Sequence, residues 1–376
     1  MLESGSIRLR QALADTLLVQ AKIDKQRLVD AIECSNRSGG GLVLTGDNTR
    51  DVAEDLLNRQ GYARPVLLDR ARYAGKNRKV AGEAFDDGWI AFQRRLPLAA
   101  VMPDTGYVGE GDEAGLINLL RRARDLAGKI SEDVVVPLAL HVSWLAANRG
   151  LPALIEHVRS AGVPVAVAME HTGDPLSVRY ALDGLVTLLS SSVPVIVLRC
   201  DVSALGALCY GALAAAVGTT SALRHLYPVG TGFANRPQPA AVVLGCLAYL
   251  SLNKIDQAVQ ADPDNQLWCC ECPYCRGRAL NWLGSAPRPE TMAYLHSLET
   301  LYQVRNDILG PGAGPVQRRR SWYSQCDSAL FQHVSICGTV FGWKAPKALE
   351  NWRDLLRERG YASSGPVRSP SASRRS

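Results

Sequence analysis

Short apolar, β-branched runs alternate with longer stretches of helical spacing through the first two thirds of the chain. That alternation is the mark of repeated βα units around a parallel sheet. Eight runs predict strands: Gly41 to Leu44, Pro65 to Asp69, Leu98 to Met102, Val134 to His141, Val163 to Met169, Val193 to Arg199, Leu213 to Gly218 and Ala240 to Cys246. The last two rest on less, because an Ala-rich run has little strand propensity and can continue a preceding helix. Between the fourth and fifth, Ser143 to Ser160 carries Leu145, Leu151, Leu154, Ile155 and Val158 as one apolar stripe, long enough for a right-handed crossover helix. Eight such units predict an α/β fold, a (β/α)8 TIM-type barrel, for which about 250 residues suffice. A doubly wound open sheet follows from the same pattern if the ends do not meet.

After Cys246 the character changes. Residues 262–276 are polar, turn-rich and dense in cysteine, and two helical patterns follow around Met292 to Ile308 and Ser328 to Leu356, parted by a Gly/Pro-rich stretch at 310–315. The expected organisation is a barrel with an N-terminal extension over 1–260, a zinc-binding loop and helix over 261–310, and a helical segment over 311–361. Residues 362–376, rich in Ser, Pro and Arg, have too little apolar surface to offset ordering entropy and read as a disordered basic tail.

Composition adjusts this picture little. The 376 residues are 47% hydrophobic and 21% charged, ordinary for a globular chain, and the net charge of +6 suits a polyanionic partner without demanding one. The amino terminus lacks a basic leader followed by an apolar core, so no secretory signal is expected. The longest weakly polar run, Ala204 to Gly218, is shorter than the roughly 20 residues a bilayer span needs. The expectation is a cytoplasmic protein with no membrane association, whose ten cysteines are thiols or metal ligands.

The most specific chemistry is the spacing C-x-C-x2-C-x20-H formed by Cys270, Cys272, Cys275 and His296. Three soft thiolates from one tight loop and an imidazole from a helix complete a zinc tetrahedron, and four protein ligands leave no open position for catalysis. Cys269 competes for one position, and Cys272 to Cys275 also fits the C-x-x-C of a redox pair. Such a redox motif normally opens a helix after an early strand, not a late polar loop.

This register, running from CECPYCRGRALNWL into TMAYLHSLETLYQ, resembles the zinc loop of the tRNA-guanine transglycosylase superfamily, where it also follows a (β/α)8 barrel. The stretch LLNRQGYARPVLLDRARYAG is similar to the segment in which that family ends a strand in an acid/base aspartate, here Asp69. Tyr73 falls near the aromatic that stacks on the base, and Asp104, in LAAVMPDTGY, near the aspartate that binds the guanine edge. Carboxyl ends of strands are where barrels keep working residues. A helix cap or turn is the alternative role for either aspartate.

The chain also departs from the family. No carboxylate occurs between Gly211 and Pro228, where the family's nucleophile follows the seventh strand, and its paired glycines are replaced by Ala168, Met169, Glu170 and His171. Asp201, after the sixth strand, is the first choice for a replacement nucleophile, ahead of Glu170 and Asp174. A cap for a helix beginning at Ser203 is its other reading. The turn from Gly218 to His225, with Arg224, offers donors for a phosphate. Arg318, Arg319 and Arg320 beside Trp322 and Tyr323 form a basic-aromatic run suited to a nucleic-acid backbone, or simply a solvated charge run.

The resemblance implies a base-exchange enzyme that replaces guanine in a nucleic acid, DNA slightly favoured over tRNA, with a 7-deazaguanine. The alternative is a non-catalytic paralogue that binds nucleic acid or serves a partner subunit. Structural Zn2+ is the expected cofactor, and a second copy or a partner subunit is an expected associate.

Overall fold

A computed structural model describes residues 2–23, 25–83, 85–230 and 238–361, so the expected tail over 362–376 lies outside the described residues. The chain builds one eight-stranded sheet from β1 (Thr16–Lys22), β2 (Gly41–Thr45), β3 (Val66–Asp69), β4 (Tyr107–Val108), β5 (Val136–His141), β6 (Val165–Glu170), β7 (Val195–Cys200) and β8 (Ala214–Gly218). Every neighbouring pair is parallel, in the order β3-β2-β1-β8-β7-β6-β5-β4. Consecutive order with a wrap from β1 to β8 is the topology of a curled, TIM-barrel-like sheet.

Alternation along the strands sorts the side chains into two layers. Leu18, Val43, Leu67, Ala139, Ala166, Ala168, Ile196, Leu198, Ala214 and Ala216 form an inner cluster. Their neighbours Leu17, Leu42, Leu44, Leu68, Leu138, Val167 and Val197 join an outer cluster with the surrounding helices. The inner layer is narrow because so many of its residues are alanine, and Leu9 and Leu13 of the helix Leu2–Leu13 pack into it.

Four strand expectations shift: β1 and the two-residue β4 lie outside the eight expected runs, and the runs at Leu98 to Met102 and Ala240 to Cys246 are not strands of the large sheet. β1 was not among the eight expected runs, because TLLVQAK reads as the tail of the preceding helical pattern. Ala240–Val243 (β9) instead pairs antiparallel with Ala248–Ser251 (β10), outside the large sheet. Leu98 to Met102 does lie in the gap between β3 and β5. Ala99 N–H donates to Val66 O at 3.1 Å, Val101 N–H to Asp133 O at 2.8 Å, and Val135 N–H to Val101 O at 3.0 Å. It forms only an isolated bridge, Val101 to Val134, since the buried Gln93 side chain takes both backbone groups of Met102 and Pro103 has no N–H to give.

The expected crossover helix is a short 3-10 turn, Val142–Leu145, followed by the helix Leu151–Ala161. The C-terminal helices run Pro289–Leu309, Pro315–Cys337 and Lys347–Glu358, so the single expected stretch at 328–356 is broken before Pro346. A separate apolar cluster joins β9 and β10 to Ile255, Trp268, Leu280, Leu283, Ile336 and Trp343. No helix among the described residues is long and apolar enough to cross a membrane.

Candidate functional site

Two places on the molecule collect chemistry: the cysteine-rich loop and the C-terminal rim of the sheet. The loop leaves the 3-10 turn Gln266–Trp268, runs out along Cys269–Cys270 and returns along Arg278–Ala279 in a two-residue antiparallel ladder. Between them the chain turns tightly, with Arg276 and Gly277 at φ of 54° and 78°. Backbone N–H groups point at sulfur, Cys272 N to Cys270 Sγ at 3.5 Å and Cys275 N to Cys272 Sγ at 3.4 Å.

The fourth member arrives from the helix Pro289–Leu309. His296 is buried, and its Nε2 lies 2.7 Å from the carbonyl of Val242 in β9. A carbonyl only accepts, so Nε2 carries the proton and Nδ1 presents its lone pair to the loop. The adjacent Ser297 Oγ accepts from Val242 N–H at 3.0 Å, which fixes the helix against the hairpin. Nδ1 lies 3.5, 3.6 and 3.4 Å from the sulfurs of Cys270, Cys272 and Cys275. All four ligand atoms fall within 4.8 Å of one another. A tetrahedral centre with metal–sulfur bonds of about 2.3 Å and a metal–nitrogen bond of about 2.0 Å sets each sulfur about 3.5 Å from the nitrogen. The four side chains could therefore hold a metal ion. Cys269 points outward and is exposed, apart from the set.

At the rim, Asp69 ends β3 with its side chain buried. One carboxylate oxygen accepts from Ala71 N–H at 2.8 Å, the other from Tyr73 OH at 2.6 Å and Gln20 Nε2 at 3.1 Å. Burial pushes this carboxyl above its usual range, and the Arg199 guanidinium is the strongest influence pulling it back. The expected pair Asp69 and Tyr73 is thus brought together, but through the phenol hydroxyl. Asp104 is buried too, accepting from Asp86 N–H at 2.7 Å and facing Arg70 Nη1 at 3.4 Å. Arg70 also pairs with Asp47 and Asp86, so Asp104 belongs to an ionic network over β2, β3 and β4.

Asp201 follows β7 and receives the Val202 N–H at 2.7 Å, heading the 3-10 helix Val202–Tyr210. Its other oxygen lies 4.0 Å from Arg224 Nη1, while the Arg224 guanidinium stacks on Tyr249. Nearby Asp174 accepts from Leu176 N–H and Ser203 Oγ, and burial, then the charge of Asp201, raises it to about 6. Burial pulls His225 down to about 4, so its imidazole is neutral at physiological pH. Arg318 pairs with Asp15 at 2.8 Å, and Arg319 donates to Cys209 O and to Tyr361 OH while lying over Tyr210. Those two guanidiniums are occupied by the protein itself, and Arg320 is exposed.

Sequence reasoning passed over three rim residues. Gln20 and Arg199 are buried polar side chains in β1 and β7, and Arg78 reaches across from the loop after β3 to Glu170 at the end of β6. Glu170 also accepts from Tyr107 OH, and Arg78 lies over the Tyr107 ring. For Arg199 the available signal was a lone charged residue in an otherwise apolar run.

The chain matches no protein-family model and no curated protein. Among solved structures it is similar to the 3-dehydroquinate dehydratase from Aquifex aeolicus VF5, at 10% identity and a TM-score of 0.33, over 58% of this chain and 90% of that one. A likeness that slight carries no conclusion about fold or chemistry.

Proposed function

We propose that the protein is a zinc-stabilised transglycosylase that exchanges a guanine in a nucleic acid, DNA ahead of tRNA, for a 7-deazaguanine. The observation that carries this reading is the Cys270, Cys272, Cys275, His296 tetrahedron beside a curled parallel sheet whose C-terminal rim buries aspartates. The metal is zinc on the chemistry of three thiolates and one imidazole, and its role is structural because no coordination position is open. DNA is preferred because the β8 loop and the missing glycine pair depart from the tRNA-modifying pattern.

In this mechanism the target nucleotide leaves its stack and enters the rim. The C1′–N9 bond breaks as an Asp201 carboxylate oxygen bonds to C1′ on the opposite sugar face. The departing guanine takes a proton from Asp69, which the raised affinity of that carboxyl for a proton favours. The incoming 7-deazaguanine then returns its N9 proton to Asp69 and displaces Asp201. Asp104 accepts from the N–H groups of the base edge, and the buried Tyr73 keeps its hydroxyl on Asp69. Arg224, in the loop after β8, meets a phosphate, whereas Arg318 and Arg319 are anchored at the amino ends of β1 and β8, which sets Arg320 away from the rim.

A second reading, a non-catalytic paralogue acting with a partner subunit, has its own observation. Asp69 and Asp104 are both saturated by internal donors, and the segment after β8 supplies no carboxylate. The discriminating experiment incubates metal-loaded protein with DNA or tRNA and labelled guanine or a 7-deazaguanine precursor. Incorporation by the protein alone supports the enzyme. Incorporation only with an added catalytic chain supports the paralogue, and none under either condition refutes both.

A further inference from the structure

We infer that Arg199, held by Gln20, is the positioning residue that sets the working state of Asp69, an inference that rests on the base-exchange reading above. Arg199 stands in β7, where every other residue is apolar or cysteine, and it is 6% exposed. Burying a guanidinium costs several kcal/mol unless a partner answers it, so its position needs a reason. Its backbone supplies a second anomaly. Arg199 adopts φ of 49°, a left-handed conformation uncommon outside glycine, where the β7–β8 pairing slips between Val197 and Cys200. Bulges of this kind re-aim a side chain, and strained backbone of this kind gathers at functional sites.

The slip turns the guanidinium toward the centre of the rim. Arg199 Nε donates to Tyr73 OH at 3.3 Å, and Nη1 donates to Ala222 O at 3.3 Å in the loop after β8. The guanidinium carbon lies 5.3 Å from the Tyr73 ring centre. Gln20 locks this geometry from β1. Its Oε1 accepts the Arg199 N–H at 2.7 Å, and its Nε2 donates to Asp69 and to Thr45 Oγ1, both at 3.1 Å. One buried amide therefore ties β1, β2, β3 and β7 together at a single level of the sheet. The titratable groups facing Asp69 are Arg199 and Tyr73, and burial with the Asp69 charge keeps the Tyr73 phenol protonated, so it is a donor.

The consequence is a carboxyl balanced between two pulls. Burial favours its proton, and Arg199 favours its charge. A residue that must give a proton to one base and take one from the next needs that balance. Without Arg199 the buried carboxyl holds its proton to higher pH.

The test is a double-mutant cycle with a kinetic arm. Urea midpoints are measured at pH 5 and pH 8 for wild type, R199M, D69N and D69N/R199M. A carboxyl whose folded affinity for a proton is raised contributes stability at low pH that is lost as pH rises through its folded value. R199M raises that value further, so its midpoint deficit is larger at pH 8 than at pH 5, and D69N removes the difference. R199K restores most of the midpoint, and R199Q carries the same cycle if R199M does not fold. In the label-exchange assay, the alkaline limb of the rate profile, where Asp69 loses the proton it gives to guanine, moves up by a pH unit or more in R199M. A deficit indifferent to pH and to D69N overturns the inference, as does a wild type that exchanges label while R199M keeps an unmoved alkaline limb. An intact stability cycle in a protein that exchanges nothing supports the positioning of Asp69 and condemns the transglycosylase reading alone.

Discussion

Replacing Cys275 by serine removes one ligand whose side chain is fully buried, and the resulting energy balance decides whether the loop stays folded. Ordering roughly 15 residues of loop backbone at about 1 kcal/mol each costs on the order of 15 kcal/mol. Burying Trp268, Leu280 and Leu283 returns about 6 kcal/mol. Five backbone hydrogen bonds, among them Leu280 N to Trp268 O and Gly277 N to Cys270 O, add about 5 kcal/mol. The deficit of about 4 kcal/mol is what the metal must cover, and binding by small zinc peptides exceeds it at about 10 kcal/mol or more. C275S is therefore expected to lose hydrogen-exchange protection over 266–281 while the amides of β1 to β8 keep theirs. Chelation of the wild type reproduces that pattern. Retained protection over 266–281 in metal-free C275S would refute the reasoning.

Three further outcomes follow from single contacts. Y73F keeps the ring but removes the hydroxyl that donates to Asp69 at 2.6 Å, at a cost of about 1.5–3 kcal/mol in urea unfolding at pH 8; an unchanged midpoint would contradict the buried network. Asp174, pushed up to about 6 by burial and by the charge of Asp201, contributes stability that is full below pH 4 and lost as pH rises through 6. D174N is accordingly expected to gain on wild type in thermal melts above pH 6 and to show no gain at pH 4. A side chain at Gly206 would meet the Trp322 indole at 2.2 Å, so G206A is expected to lower the melting temperature by several degrees, with near-UV circular dichroism reporting the displaced tryptophan.

Much of this arrangement was legible in the chain. Strands such as VPVAVAM and VPVIVLR are apolar on both faces because helices cover one side and the sheet's own interior the other. The cysteine spacing picked out the four residues that gather into a cluster able to hold a metal ion, since a short loop presents three sulfurs together and His296 follows on the next long helix. The first strand escaped because TLLVQAK follows a helix without a turn signal beyond Asp15. AAVVLGC reads as another barrel strand because β9 is covered on both faces, Val242 by the main core and Ala241 and Val243 by the smaller cluster. At the rim, Asp69 and Tyr73 were readable as neighbours in sequence. Their dependence on Gln20 and Arg199 was not, because residues 179 positions apart meet only once β1 and β7 share a sheet.

The most direct measurement is intact mass under denaturing conditions after metal-loaded protein meets guanine-containing DNA or tRNA without an incoming base. A transglycosylase of the kind described yields protein covalently joined to a nucleic acid that has lost one guanine, and peptide mapping puts the bond on Asp201. Protein and nucleic acid separating at their unmodified masses, from a preparation that turns over its label in the exchange assay, would contradict the covalent step through that carboxylate.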